Sequence, residues 1–148
     1  MSDAPDPIEP LVTYNTWFAR GTRICESEIS QEMERAAGLG VELFVLDAGW
    51  YLGTGVIDQW DFTTGLGSWT VDPEKFPNGL RSMADLAHSY GLRFGLWFEP
   101  ERVARSLVGQ PDMPQEEWLA TQDGNYGDER SAQLCLASDD ARQWVFNR

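Results

Sequence analysis

Apolar residues come along this chain in short runs separated by stretches with a different spacing. The runs 11-LVTYNTWF-18, 41-VELFVLDAGW-50, 92-LRFGLWF-98 and 131-SAQLCLA-137 are rich in β-branched, aromatic and aliphatic residues and predict four strands. Between the first two, 28-EISQEMERAAGLG-40 places Ile29, Met33, Ala36 and Leu39 close to helical spacing, with Ser27 as the expected N-cap and Gly38 or Gly40 as the stop. A second helix is predicted over 79–91, where Leu80, Met83, Ala84, Ala87 and Tyr90 share a face, Asn78 caps the start and Gly91 ends it. A third is predicted over 138–148 with Ser138 as N-cap. Residues 19–27 read as a loop, 101–120 as short helical pieces and 121–130 as a polar loop. The resulting βαβαβαβα order predicts an α/β domain with a parallel sheet, either doubly wound or closed as a barrel. Residues 1–10, acidic and Pro-rich, read as an irregular lead-in, and residues 11–148 as one domain.

Residues 51–78 interrupt this rhythm with a loop too long to be a simple connection, and such loops are usually functional. Its aromatics Trp60, Phe62 and Trp69 favour an ordered loop, and its end, 72-DPEKFPN-78, reads as a rigid turn into the second helix. Asp61 and Asp72 read as loop and turn residues. The first strand is not followed by a GxGxxG fingerprint, which removes support for a dinucleotide-binding domain.

In a parallel barrel, function collects where the strands end. Here those ends carry Asn15 and Trp17, then Asp47 and Trp50, then Trp97, Glu99 and Glu101. A sugar ring offers an apolar C–H face to an aromatic plane and a rim of hydroxyls to carboxylates, which accept stronger hydrogen bonds for being charged. One Trp beside one carboxylate reads as packing next to a helix cap. The same pairing at three successive strand ends reads as a sugar pocket.

Composition narrows the field. The chain has 148 residues, 42% hydrophobic and 12% aromatic with seven Trp, enough to build a core. A net charge of −13 opposes nucleic acid and anionic membrane surfaces and leaves a neutral substrate open. No apolar run approaches the roughly 18–20 residues of a membrane span. Cys25 and Cys135 form neither a disulfide framework nor a metal-ligand spacing, so neither metal nor cofactor is expected. His88, alone on a helix, reads as a surface or packing residue. With no signal-peptide pattern in MSDAPDPIEP, the expected location is cytoplasmic.

Taken together, 14-YNTWFA-19, 43-LFVLDAGWY-51, 63-TTGLGSWTVDPEKFPNGL-80 and 92-LRFGLWFEPERV-103 resemble the catalytic domain of the family 36 α-galactosidases, melibiase-like glycoside hydrolases. The closing 133-QLCLASDDARQWV-145 resembles that family's fourth strand and following helix. The resemblance implies a (β/α)8 TIM-type barrel, of which this chain carries the first four βα units as a partial catalytic domain. It also implies a retaining mechanism on terminal α-linked galactose, with an Asp nucleophile in a Lys-x-Asp motif after the fifth strand and an acid/base Asp later still. This chain has one Lys, Lys75, in a loop, so on this reading neither catalytic carboxylate lies within it. By the same resemblance Trp17, Asp47 and Trp97 bind the sugar, and Asp47 accepts hydrogen bonds from its O4 and O6 side. Asn15, Trp50, Trp69 and Glu99 are candidate rim positions. Glu99 and Glu101 read as structural, paired with Arg102 or Arg105.

Three departures from the family pattern bear on specificity. Ala48 stands where the family has the second Asp of Asp-Asp-Gly-Trp, Cys135 takes the Asp position of the fourth strand, and the family's sugar-contacting Arg near that strand has no clear match. The expected ligand is therefore an α-galactoside or a related sugar. The full family architecture also includes an N-terminal β-domain that has no counterpart here. The alternatives are a non-catalytic sugar-binding half-barrel, which can pair into an oligomer through its open edges, and a truncated product with no activity of its own.

Overall fold

The computed structural model describes residues 10–120 and 129–148. The polar loop expected at 121–130 and the lead-in expected at 1–10 fall almost wholly outside these residues. Strands β1 (Thr13–Asn15), β2 (Leu43–Leu46) and β3 (Arg93–Leu96) form a parallel sheet in the order β1-β2-β3. Asn15 lies beside Val45 and Val45 beside Gly95. Parallel neighbours need a crossover, and helices supply both. The helices α1 (Trp17–Arg20) and α2 (Glu26–Gly38) link β1 to β2, and α3 (Gly79–Ser89) follows the long loop into β3.

The period-2 alternation of β2 decides what is buried. Phe44 and Leu46 are fully buried in one core with Ile29, Met33 and Ala36 of α2 and Met83 and Ala87 of α3. Leu43 and Val45 face the other way and stay half-buried. On that face Gly95 is small for a reason, since a Cβ there would come within 3.1 Å of the Val45 side chain.

Several expectations need correction. The run 11–18 does not continue as a strand. It stops at Asn15, and Trp17 and Phe18 belong to α1. The cause is local competition for backbone groups: the Asn15 side chain accepts from the Trp17 amide at 2.8 Å. The N-cap position of α2 is Cys25 rather than Ser27, and the helix gives way at Leu39 before Gly40, whose φ is 83°. Asn78 precedes α3 as expected but makes no side-chain cap bond. Its amide donates instead to Glu26 at 2.6 Å, tying the starts of α2 and α3 together. Ser138 does cap its helix, α4 (Asp139–Phe146), accepting from the Ala141 amide.

The largest difference lies after β3. Residues 101–120 were expected to be helical, but Arg102–Ala104 form β4, and a short 3-10 turn covers Glu116–Trp118. Ser131–Gln133 form β5, which pairs antiparallel with β4 rather than joining the parallel sheet. Among the described residues the parallel sheet therefore has three strands where four were expected. Pro100, Pro111 and Pro114 disfavour helix through this region. Val103, Ala132, Leu134 and Trp144 close a second small core beneath the β4–β5 ribbon.

Candidate functional site

A cavity of about 340 Å³ opens beyond the C-terminal ends of β1, β2 and β3. Asn15, Trp17, Phe18, Asp47, Ala48, Phe62 and Trp97 line it. Each strand contributes at its end: Asn15 is the last residue of β1, while Asp47 and Trp97 directly follow β2 and β3.

The polar part of the cavity is an amide–carboxylate pair. Asn15 Nδ2 donates to Asp47 Oδ2 at 2.6 Å, and the Asn15 Oδ1 accepts from the Trp17 amide at 2.8 Å. The other Asp47 oxygen accepts from the Ala48 amide at 2.7 Å, and the Asp47 amide donates to Thr16 Oγ1 at 3.0 Å. Asp47 is 8% exposed, so its rotamer is held from both sides while one edge still faces the cavity. Carboxylate and carboxamide together can accept from and donate to a ligand hydroxyl.

The apolar part is a set of aromatic edges and faces. Phe62 stands between the two Trp walls, edge-on to Trp17 and to Trp97, each at 5.6 Å between centroids. Trp60 packs edge-on to Trp17 from outside at 5.6 Å. Phe18 is 87% exposed at the lip. Phe62 and Phe18 were not singled out by the sequence as pocket residues. Phe62 lies in the long loop, 45 residues from Trp17 and 35 from Trp97, and only the return of that loop over the strand ends brings it there.

Three candidate rim residues do not line this cavity. Trp50 is 4% exposed and supports the wall from behind, its indole N–H donating to the Trp97 carbonyl at 3.0 Å. Trp69 packs against Phe98 at 4.2 Å, against Tyr51 at 5.1 Å and against Trp50 at 5.9 Å. Its φ of 46° is rare for a residue with a side chain, and its buried indole N–H has no partner among the described residues. Glu99 accepts from Arg102 at 3.1 Å, as its structural reading expects. Burial pushes the Glu99 carboxyl above its ordinary pKa, with Arg102 pulling it partly back. Arg102 also donates to Ser131 at 2.8 Å and lies 5.7 Å from the Phe62 ring centre, so this pair braces the cavity wall from outside.

The long loop is held by two buried groups that the sequence suggested only as loop residues. Asp61 accepts from the Ile57 amide at 3.3 Å, from Thr63 Oγ1 at 3.1 Å and from both the amide and the hydroxyl of Thr64. Burial raises its pKa, but these hydrogen bonds to the charged form outweigh burial and leave it below the ordinary value. Tyr51, fully buried, donates to the Phe62 carbonyl at 2.8 Å, and burial drives its pKa up so that the phenol keeps its proton. Among the described residues no group of three or more His, Cys, Asp or Glu is placed to hold a metal ion, and no helix is long and apolar enough to cross a membrane.

Comparison with known proteins identifies the family. The family described as Melibiase matches residues 5–144. An alpha-galactosidase of Lactobacillus acidophilus is 43% identical over 99 residues, covering 67% of this chain and 13% of that protein. An alpha-galactosidase of Escherichia coli is 40% identical over 92 residues, covering 62% of this chain and 12% of its own length. A substituted form of the family 36 alpha-galactosidase AgaA from Geobacillus stearothermophilus, solved in complex with raffinose, is similar with a TM-score of 0.74 at 28% identity. That match covers 94% of this chain and 19% of the neighbour. The alpha-galactosidase structure from Lactobacillus brevis gives a TM-score of 0.74 at 30% identity over 95% of this chain and 18% of its own. The chain thus spans a small part of the relatives it matches. On the strength of a match running through nearly its whole length, this chain is a member of the Melibiase family of α-galactosidase-type glycoside hydrolases.

Proposed function

We propose that this chain supplies part of the sugar pocket of a retaining α-galactosidase, an enzyme that hydrolyses terminal α-linked galactose from oligosaccharides. The observation that carries the reading is the Asn15–Asp47 pair set between the Trp17 and Trp97 walls. Asp47 accepts from sugar hydroxyls, Asn15 donates its second amide hydrogen, and the indoles cover the apolar face of the ring. A volume of about 340 Å³ lies at the small end of the ~300–1,000 Å³ typical of small-molecule sites, as one sugar ring requires. The relatives are alpha-galactosidases, and one similar structure holds raffinose, an α-galactoside.

Retaining hydrolysis needs two carboxyl groups ~5–5.5 Å apart. Among the described residues Asp47 is the sole carboxylate lining the cavity. We assign it to binding, with nucleophile and acid/base coming from a longer polypeptide that completes the barrel. Ala48 at the cavity wall removes a second acceptor, so a related sugar without galactose's axial hydroxyl is the competing ligand. The test is titration calorimetry of the 148-residue protein with raffinose and with glucose, beside hydrolysis of an aryl α-galactoside. Raffinose binding that disappears in Asp47→Ala, without turnover, is the expected result. Turnover by the pure chain, or binding indifferent to Asp47, rejects the assignment.

One observation favours a second reading, a sugar-binding half-barrel that pairs with another copy. Both outer strands of the sheet, β1 and β3, lack a further neighbour among the described residues, and Leu96 at the end of β3 and Phe98 just after it are exposed. Sedimentation separates the two, since this reading requires a stable dimer that binds raffinose.

A further inference from the structure

Lys75 is the chain's single lysine, and its ammonium is turned inward. It donates to the Gly49 carbonyl at 2.9 Å, to Thr54 Oγ1 at 2.9 Å, to the Thr22 carbonyl at 3.3 Å and to the Thr54 carbonyl at 3.4 Å. Three backbone carbonyls from two segments of chain thus converge on one cation. We propose that Lys75 is the positioning residue of the sugar pocket, its ammonium clamping the loop after α1 to the loop after β2 and so fixing Trp17 and Asp47 relative to each other. The inference rests on the pocket reading above, and deepens it by naming what holds the pocket in shape.

The connections are short on both sides. Thr22 follows α1, the single turn that carries Trp17 and Phe18. Gly49 stands two residues after Asp47 and follows Ala48, both of which line the cavity. The two loops meet at backbone distance: a Cβ on Gly49 would lie 2.8 Å from Thr22 Cα, and Gly49 sits at a φ of 121°. Convergent carbonyl dipoles repel one another, and a cation at their focus removes that repulsion. An apolar side chain of the same length would fill the space but leave the carbonyls without this donor or its charge.

Lys75 is itself well anchored. Its amide and that of Glu74 donate to Asp72 Oδ1, its carbonyl accepts from the Glu26 amide at 2.8 Å, and the next residue, Phe76, is buried in the core. Burial lowers the ammonium's pKa and Asp72 raises it partly back, which is the behaviour of a cation taken out of water and held by dipoles rather than by an ion pair. The motif 72-DPEKFPN-78 is therefore more than a turn into α3: it delivers a cation to the carbonyls of Thr22, Gly49 and Thr54.

The test reads the pocket without needing sugar. In a ¹⁵N-labelled sample of the full chain, the side-chain amide of Asn15 and the backbone amide of Trp17 report the Asn15–Asp47 and Trp17–Asn15 hydrogen bonds. In Lys75→Ala, with the far-UV dichroism of the folded chain retained, both signals are expected to move in sodium chloride and to return towards their native positions in ammonium chloride, whose cation fits the vacated site. Raffinose affinity is expected to fall about tenfold in the variant and to recover with ammonium, because small displacements of positioning groups are costly. Native signals in Lys75→Ala, or displaced signals that ammonium leaves unmoved, overturn the proposal. If Lys75→Ala does not fold, the same signals are read in Lys75→Met, which keeps the packing of the stem, and native positions there overturn it equally. A wild-type chain that binds no raffinose refutes the pocket reading, while the two amide signals still decide what Lys75 does.

Discussion

The side-chain amide of Asn15 and the carboxylate of Asp47 are 2.6 Å apart, although the two residues are separated by 32 positions. The parallel register explains the meeting. Asn15 pairs with Val45, and Asp47 stands two residues beyond Val45, on the same face of the sheet. Since side chains alternate across a strand, a carboxylate two positions past the pairing partner leans over the end of the neighbouring strand. The sheet register thus assembles a hydrogen-bonding unit from two strand ends, and Trp17 and Trp97 stand on either side of it.

That pair should be measurable by substitution. Asn15→Ala removes the donor to Asp47 and the acceptor of the Trp17 amide, and hydrogen bonds to charged groups contribute about 1.5–3 kcal/mol each. A loss of stability of about that size is expected in urea titrations. Asn15→Asp is expected to cost more, because it sets one carboxylate against another, and to abolish raffinose binding in calorimetry.

At the lip, Phe18 separates binding from folding. It is 87% exposed, so Phe18→Ala should leave stability within about 0.5 kcal/mol of wild type. It lines the cavity, so raffinose affinity should fall several-fold in the same sample. Unchanged affinity would show that the sugar does not reach the lip.

Tyr51 tests the support of the wall. Its hydroxyl donates to the Phe62 carbonyl, and its ring packs at 5.1 Å from both Trp50 and Trp69. Tyr51→Phe keeps the packing but removes the donor to the partly buried Phe62 carbonyl, a loss of about 0.5–1.5 kcal/mol. Thermal unfolding should register that loss, with little change in near-ultraviolet dichroism.

The acid limb of the stability profile should report Asp61. Its pKa is lower in the folded chain than in the unfolded one, so the unfolded state binds the extra proton in the interval between them. The stabilisation is therefore fully present above the unfolded carboxylate's pKa of about 3.9 and is lost as pH falls through the lower folded value. Asp61→Asn should flatten that limb in urea midpoints measured from neutral to acid pH. A limb as steep as wild type would assign the acid sensitivity to other carboxylates.

What the chain says about itself locally proved legible. The runs of β-branched and aromatic residues at 11–18, 41–50 and 92–98 contain β1, β2 and β3, and the apolar faces at 28–40 and 79–91 are α2 and α3, because period-2 and period-3.6 patterns record which side chains must leave water. The strand-end positions of Asn15, Asp47 and Trp97 were legible from the parallel α/β pattern, which offered Trp50 and Glu99 equally, while the choice of Trp17, Asp47 and Trp97 as binding residues came from the family resemblance. The family was legible in long contiguous blocks, and the Melibiase match over residues 5–144 bears it out.

Tertiary structure decided the rest. Residues 131–133 read as a strand, but only the partner β4 determines that they run antiparallel in a separate ribbon, since an apolar run carries no record of its neighbour. Trp50 and Trp97 look alike in sequence, each at a strand end, yet one is sealed in the core, with its indole N–H on the Trp97 carbonyl, and the other lines the cavity. Phe62 enters the pocket, and the Lys75 ammonium its carbonyl cluster, through contacts across tens of residues. Periodicity reports burial and local geometry. It does not report which distant backbone groups converge on a point, and the pocket of this protein is made of such convergences.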